Sequence, residues 1–162
     1  MSSIVVQLAD ALVSALQGAT WSGIAYTVRR TYIDCEDEQL TDDRTDVDVA
    51  VLVPDGFDAV ELLIRGGMSR TVTIDVVVRK RFSAEEADSQ TGAIQEQTID
   101  ELIDLVDVLV ETGVDAGLAG MADASLVPPA AQDVIYRRDH LRTLRQFTSV
   151  FSLTFEIMTE LT

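Results

Sequence analysis

The sequence is poor in the residue types that mark several classes of protein. It contains one cysteine, one histidine, three prolines and, among its 12 basic residues, a single lysine. The lone Cys35 cannot form an internal disulfide, so nothing in the chain indicates an oxidising compartment. No stretch reaches the roughly 18 uncharged apolar residues of a membrane span, and Asp10 interrupts the apolar start, which is not typical of a signal peptide. We therefore expect a soluble protein made inside the cell, without membrane contact.

Motifs that carry chemistry are also missing from the sequence. It has no phosphate-binding loop, no nucleophile elbow, no zinc-ligand spacing and no dinucleotide fingerprint. We interpret His140, which follows Asp139 in an arginine-rich stretch, as a surface residue of a polar turn rather than a general base. The carboxylates beside Cys35 raise the pKa of its thiol, which is the wrong direction for a nucleophile. The sequence therefore predicts a protein that is not an enzyme and needs no cofactor or metal.

An acidic stretch, residues 34–46, leaves one ion-binding alternative open. Asp34, Glu36 and Glu38 alternate along it, but the glycine and the closing glutamate of a calcium-binding EF-hand loop are absent. We interpret the stretch as a loop that holds a cation loosely at most.

Charge is strongly one-sided in this chain. Asp and Glu together number 28, and the formal net charge is −16. A surface this acidic repels phosphate at long range, so specific nucleic-acid binding is not expected. The length of 162 residues suffices for one domain with its own core and is short for two, so we expect a single domain over residues 1–162.

Two segments have the spacing of amphipathic helices. In residues 3–17 the apolar positions recur every four residues, with a serine available as a cap and Gly18 just past the end. In residues 98–112, Thr98 and Glu101 have the spacing of a capping box. The sequence therefore predicts two helices.

Alternating apolar and polar residues predict the strands, which are residues 23–33, 45–54, 69–82 and 145–157. Residues 57–65 are ambiguous between a short helix and an edge strand. Residues 34–46 and 113–133 lack either period and are predicted as loops, the second of them long. The polar residues 83–97 are predicted as a loop or a frayed helix start. The fold class that follows is α+β: an antiparallel sheet of four to five strands, with two helices packed on one face.

Two charged surfaces stand out once these elements are placed. The second helix exposes acidic residues that no cation balances three or four positions away, and arginines gather at the end of one strand and before the last one. Such surfaces are able to pair between neighbouring copies of one chain and to close a ring. The proposed interface set is Arg79, Arg81, Arg137, Arg138, Arg142 and Arg145 against Asp100, Asp104, Asp107 and Glu111.

The order of these elements resembles a known family. An amphipathic helix (IVVQLADALVSAL) precedes a VRRTY strand, a strand containing TIDVVVRK (residues 73–80) leads to an acidic helix, and HLRTLRQFTSVFSLTF (residues 140–155) closes the pattern. This order of elements and motifs is similar to that of the neck and tail-completion proteins of tailed bacteriophages, in particular the tail terminators. The resemblance covers most of the chain and is weakest at residues 34–46 and 114–125.

The resemblance implies a structural virion protein that is made in the host cytoplasm and located in the tail or neck. Tail terminators are α+β proteins that form hexameric rings, cap the tail tube and dock the connector or stopper protein on the head side. DNA passes through such a ring without specific binding. The alternatives are another neck component, such as a dodecameric head-completion or connector-adaptor protein, and a monomeric acidic module that binds a basic protein.

Overall fold

The structure contains all four strands and both helices that the sequence periods predict, together with three further elements among the described residues. The computed structural model describes residues 3–41, 46–63, 66–82, 93–115, 124–131 and 134–160. The helices are α1 (Ile4–Gln17), α2 (Ala93–Asp115) and α3 (Arg138–Thr143). The strands are β1 (Tyr26–Thr31), β2 (Val47–Leu52), β3 (Ala59–Leu62), β4 (Gly67–Arg81), β5 (Ala124–Ala131) and β6 (Gln146–Glu160). The α+β class is therefore confirmed.

The described strands form one open sheet in the order β1-β2-β4-β6-β5, with β3 beside β4 and off this path. β4 and β6 lie at its centre, and each has fifteen residues. They pair antiparallel over their whole length, from Gly67 opposite Glu160 to Arg81 opposite Gln146. At about 3.4 Å per residue, this ladder is about 50 Å long. All other pairs are antiparallel too, except β1 with β2, which is parallel.

β2 and β3 pair with different parts of the same edge of β4. Residues 76–79 of β4 face β2, and residues 68–71 face β3. β2 and β3 thus lie end to end along β4, and β1 flanks only β2. The sheet is therefore narrower at the β3 end, where it has no strand equivalent to β1 among the described residues.

Alternate residues of the strands give the sheet an apolar face. Its buried members include Val49 on β2, Ile74 and Val76 on β4, and Leu153 and Phe155 on β6. The leucines of α1 (Leu8, Leu12, Leu16) and of α2 (Leu102, Leu105, Leu109) belong to the same buried cluster. Phe147, Phe151 and Ile157 of β6 are buried in it as well, which confirms the apolar face predicted for the last strand.

Several sequence predictions need correction. The sheet has six strands in the described residues, not four or five. The long loop predicted over residues 113–133 is wrong in its second half, which forms β5. Pro128 and Pro129 hid this strand, although proline is tolerated there because β5 has a neighbour on one side only. The polar turn predicted around His140 is the helix α3, and the ambiguous residues 57–65 contain the edge strand β3.

One of the predicted helix ends is confirmed, and the predicted capping box is wrong. α1 ends at Gln17 with Gly18 just past it, as predicted. Ser3 occupies the N-cap position of α1, but its side chain makes no capping hydrogen bond. α2 begins at Ala93, so Thr98 lies inside the helix and the predicted capping box is wrong. Glu101 has another role, because its Oε1 accepts a hydrogen bond from the backbone N–H of Ile24 at 2.8 Å.

Candidate functional site

A buried ion cluster lies on the polar face of the sheet, at the end where β2 meets β4. Asp48 of β2 is opposite Arg79 of β4 in the register. Arg79 Nη2 donates to Asp48 Oδ2 at 2.7 Å, and the exposed fractions of the two side chains are 3% and 0%. Arg29 of β1 donates to the other carboxylate oxygen at 2.8 Å. The carboxylate of Asp48 is thus held between two guanidinium groups.

The cluster determines the protonation of Asp48. Burial by itself raises the pKa of this carboxyl, but the hydrogen bonds and charges of Arg29 and Arg79 outweigh it, so the pKa lies below its usual range. Cys35 is buried beside the same arginines. Its pKa is raised chiefly by burial, against the opposing charges of Arg79 and Arg29. The direction predicted for Cys35 is confirmed, although burial rather than the neighbouring carboxylates is the main cause.

The first part of the acidic stretch, residues 34–41, covers this cluster; we call it the acidic segment. The sheet holds it through backbone atoms. Arg79 Nη1 donates to the carbonyl oxygens of Cys35 and Glu38, at 3.0 and 3.1 Å. Arg81 Nη1 donates to the carbonyl oxygen of Leu40 at 2.6 Å. Two of the arginines proposed for an interface therefore anchor a loop of their own chain.

Gln146, the first residue of β6, completes the anchor of the acidic segment. Its buried side chain accepts a hydrogen bond from the N–H of Leu40 at 2.8 Å. Its amide nitrogen donates to the carbonyl oxygen of Glu38 and to the hydroxyl of Thr148, both at 3.1 Å. The acidic segment has neither helix nor strand, as predicted, and residues 42–45 of the predicted loop lie outside the described residues.

α3 packs at the start of β6 and contacts the same segment. Arg137, just before α3, pairs with Glu36 at 2.7 Å and with Asp139 at 2.8 Å. The hydrogen bonds that Arg137 donates, first to Asp139 and then to Glu36, raise the pKa of its guanidinium, and they lower the pKa of Asp139. His140 is 4% exposed, and its Nδ1 lies 2.8 Å from the hydroxyl of Thr148. The prediction of a surface histidine is therefore wrong, because the turn of α3 directs this ring against β6.

The remaining arginines of the proposed set lie on the surface. Arg138 and Arg142 are one helical turn apart on α3 and both are exposed. Arg145 is exposed too, and its positive φ of 50° marks the bend between α3 and β6. Arg138 and Arg142 are thus available for contacts outside the chain, whereas Arg79, Arg81 and Arg137 make contacts within it.

The acidic residues of the proposed set share one exposed side of α2. They are Asp100, Asp104, Asp107 and Glu111, and each is exposed. Their pairing with the arginines of another copy stays a prediction.

Exposed apolar side chains form surfaces that the sequence patterns did not reveal. Val60 and Leu62 of β3 are exposed by 57% and 73%, and Tyr32 and Ile33 after β1 by 66% and 72%. Val134 and Ile135, just before α3, are exposed by 51% and 52%. No pattern marked the exposure of β3, because Val60, Glu61 and Leu62 alternate like the residues of a strand with one buried face.

Two kinds of feature are absent from the described residues: a cluster of three or more metal ligands and a membrane-spanning helix. No three or more of their His, Cys, Asp and Glu side chains are placed to hold a metal ion, and this holds for Asp34, Glu36 and Glu38 of the acidic segment. No helix in the described part of the chain is both long and apolar enough to cross a membrane.

Comparisons with known proteins give no sequence match and a distant structural likeness. No protein-family model and no curated protein sequence matches the chain. Among solved structures, it is similar to the sheath/tube terminator of an extracellular contractile injection system, PVC, determined by cryo-EM in the extended state. The two are 14% identical with a TM-score of 0.32, and the match covers 100% of this chain and 61% of that one. The chain thus spans less than two thirds of that protein, and a likeness this distant establishes no function.

Proposed function

We propose that this chain is a tail terminator of a tailed bacteriophage, a structural protein of the virion that acts without catalysis. Six copies form a ring that caps the finished tail tube and joins it to the connector or stopper protein on the head side. The protein is located in the tail or neck of the virion, and DNA passes through the ring without specific binding.

The observation that carries this proposal is the ladder between β4 and β6. The two strongest cues of the resemblance are TIDVVVRK and HLRTLRQFTSVFSLTF. The first lies within β4, and the second spans α3 and β6. Ile74 of the first cue is directly opposite Leu153 of the second, and Lys80 is opposite Phe147. Two segments that are far apart in the sequence thus form one structural unit at the centre of the sheet.

The layering we propose has α1 and α2 together on the apolar face of the sheet. It is supported by the shared cluster, in which leucines of both helices are buried with Val72 and Ile74 of β4. The polar face then remains for other contacts where the acidic segment does not cover it. There Thr71 and Thr73 are half-buried and Asp75 is exposed.

Charge supports the passage of DNA that we propose. The net charge of −16 per chain, with the exposed acidic side of α2, gives a ring whose field repels phosphate. A channel that repels the DNA backbone does not retain it, so DNA is able to slide through.

Removal of the gene from its virus tests the proposal. Without a cap, tail tubes are expected to vary in length and to lack heads. Tails of normal length that fail to join heads would instead favour a connector-adaptor protein, and native mass spectrometry would then find twelve copies rather than six. Virions that assemble normally without the chain would contradict a role in the neck altogether and would favour the monomeric acidic module.

A further inference from the structure

Three described strands, β1, β3 and β5, have an outer edge in the sheet, and two of these edges are protected. On β1, the N–H of Val28 donates to the side-chain oxygen of Gln17 at the end of α1, at 3.0 Å. β5 contains Pro128 and Pro129, which have no N–H to offer. Blocked or proline-containing edges are the usual means by which proteins prevent strands from pairing with other chains.

The third edge, that of β3, is open and apolar. Leu63 donates its N–H to Gly67 of β4 at 2.8 Å, so the backbone groups of the preceding residue, Leu62, point away from β4. Val60, two residues earlier, has the same orientation. Both side chains are more than half exposed. The outer side of β3 therefore presents backbone groups that no other described strand pairs with, together with apolar side chains.

Residues next to β3 enlarge the exposed surface formed by Val60 and Leu62. Because β1 flanks β2 but stops before β3, the outer side of β3 is a notch at the corner of the sheet. The exposed Phe57 precedes β3, with the guanidinium of Arg70 4.9 Å from its ring centroid. The acidic residues beside the notch, Asp55, Asp58 and Glu61, are all exposed. We call this surface the β3 edge.

The opposite border of the sheet carries a surface of complementary character. Arg137 donates its N–H to the carbonyl oxygen of Thr148 at 2.9 Å, so the chain before α3 runs along β6. There Val134 and Ile135 are half exposed, and Arg138 and Arg142 project from α3. Arg137 is already paired with Glu36 and Asp139, so the outward cations are those of α3 itself. We call this surface the α3 edge.

We propose that the β3 edge of one copy binds the α3 edge of the next copy. Apolar side chains meet apolar side chains, and Arg138 and Arg142 meet Asp58 and Glu61. Since the two surfaces differ and lie on opposite borders of one sheet, the contact is head-to-tail, and repeating it closes a ring when the rotation between copies permits. This inference rests on the proposed function. It keeps two arginines of the sequence-based set but replaces the acids of α2 with those beside β3.

Two double variants, each altering one edge, test this contact. The β3 variant carries Val60→Asp and Leu62→Asp, and the α3 variant carries Ile135→Asp and Arg138→Glu. The matched control carries Asp104→Arg and Asp107→Arg on the exposed side of α2. All six side chains are exposed, so the fold is expected to persist, and far-UV circular dichroism with thermal unfolding checks it.

Native mass spectrometry then gives distinct outcomes. We expect a ring for the wild type and the control, monomers for each edge variant alone, and a dimer for an equal mixture of the two, because one intact β3 edge and one intact α3 edge remain. Rings from both edge variants, a mixture that stays monomeric, or loss of assembly in the control would overturn the inference while leaving the proposed ring in place. A wild type that never self-associates would overturn the proposed function and this contact together.

Discussion

At the scale of single residues, the most consequential feature is a carboxylate enclosed between two arginines. Asp48 is fully buried, and its partner Arg79 nearly so. Removing two charges from water is costly, so such a pair adds little net stability compared with apolar residues of similar volume. Breaking it by removing one partner is far worse, because the other charge is then left buried without compensation.

Asp48→Asn is therefore expected to lower the free energy of unfolding by about 3–5 kcal/mol. Urea denaturation followed by circular dichroism measures the change. Asp10→Asn is the matched control, because Asp10 pairs with Arg30 at 2.8 Å but both side chains are substantially exposed. That change is expected to cost less than about 1 kcal/mol. Equal effects of the two substitutions would contradict the account of a buried charge cluster.

The same carboxylate makes stability depend on pH in the acidic range. Its pKa is lower in the folded chain than in the unfolded chain, so the unfolded state binds a proton more readily. Its contribution is fully present above the unfolded pKa of about 3.9 and is lost as the pH falls through the lower, folded value. We expect the wild type to lose more stability than Asp48→Asn between neutral and strongly acidic pH. Parallel pH profiles for the two proteins would show that Asp48 is not the titrating group.

At the scale of elements, the acidic segment shows how an irregular stretch becomes a fixed part of the fold. Its carbonyl oxygens accept hydrogen bonds from Arg79 and Arg81, and Gln146 satisfies the N–H of Leu40. The side chains of β4 and β6 thus recognise its backbone. The exposed carboxylates of Asp34 and Asp37 remain on the outside.

Gln146→Leu tests this anchoring. The substitution leaves the buried N–H of Leu40 without its acceptor, which is expected to cost about 1–3 kcal/mol. Hydrogen exchange should become faster at Leu40 before the central strands open. Gln39→Leu is the control, since Gln39 is exposed and its side chain donates to the carbonyl oxygen of Leu144. Unchanged exchange at Leu40 in the Gln146 variant would mean that other contacts hold the segment.

The sequence predicted those elements whose own pattern is long enough to carry a period. β4 and β6 were predictable because alternation continues over fifteen residues in each. β5 was not, because its two prolines are acceptable only at a sheet edge, and a sheet edge is a property of the whole fold. α3 has six residues, too few for a helical period, and its packing against β6 buries His140.

The candidate surfaces were predictable only in part, for a related reason. Charge was visible in the sequence, so the arginines before β6 were found. The contacts of Arg79 and Arg81 at the end of β4 were not predictable, because these arginines bind carbonyl groups of a segment about forty residues away in the chain. The apolar side chains of β3 were missed because exposure depends on β1 stopping short of β3.

At the scale of the whole molecule, the protein is acidic overall but has an apolar open edge. In the proposed ring, six copies with a net charge of −16 each would repel one another. Exposed ion pairs such as those proposed for Arg138 and Arg142 contribute about 0–1 kcal/mol each, so the repulsion between whole subunits dominates the electrostatics. Apolar contacts must supply most of the attraction, and the charges then orient the partners.

Assembly is therefore expected to strengthen as salt rises from low to physiological concentration. The screening length falls from about 30 Å at 0.01 M to about 8 Å at 0.15 M, which weakens repulsion between subunits more than it weakens pairs in contact. Sedimentation velocity across this range measures the fraction of assembled protein. A ring that dissociates over the same range would show that ion pairs, rather than apolar edges, hold it together.

The central claim is that this chain works by meeting copies of itself, and the mass of the assembled wild type tests it most directly. Native mass spectrometry at physiological salt, with increasing protein concentration, is expected to show a closed species of six chains and no series of larger ones. A single monomeric mass at every concentration would contradict the account.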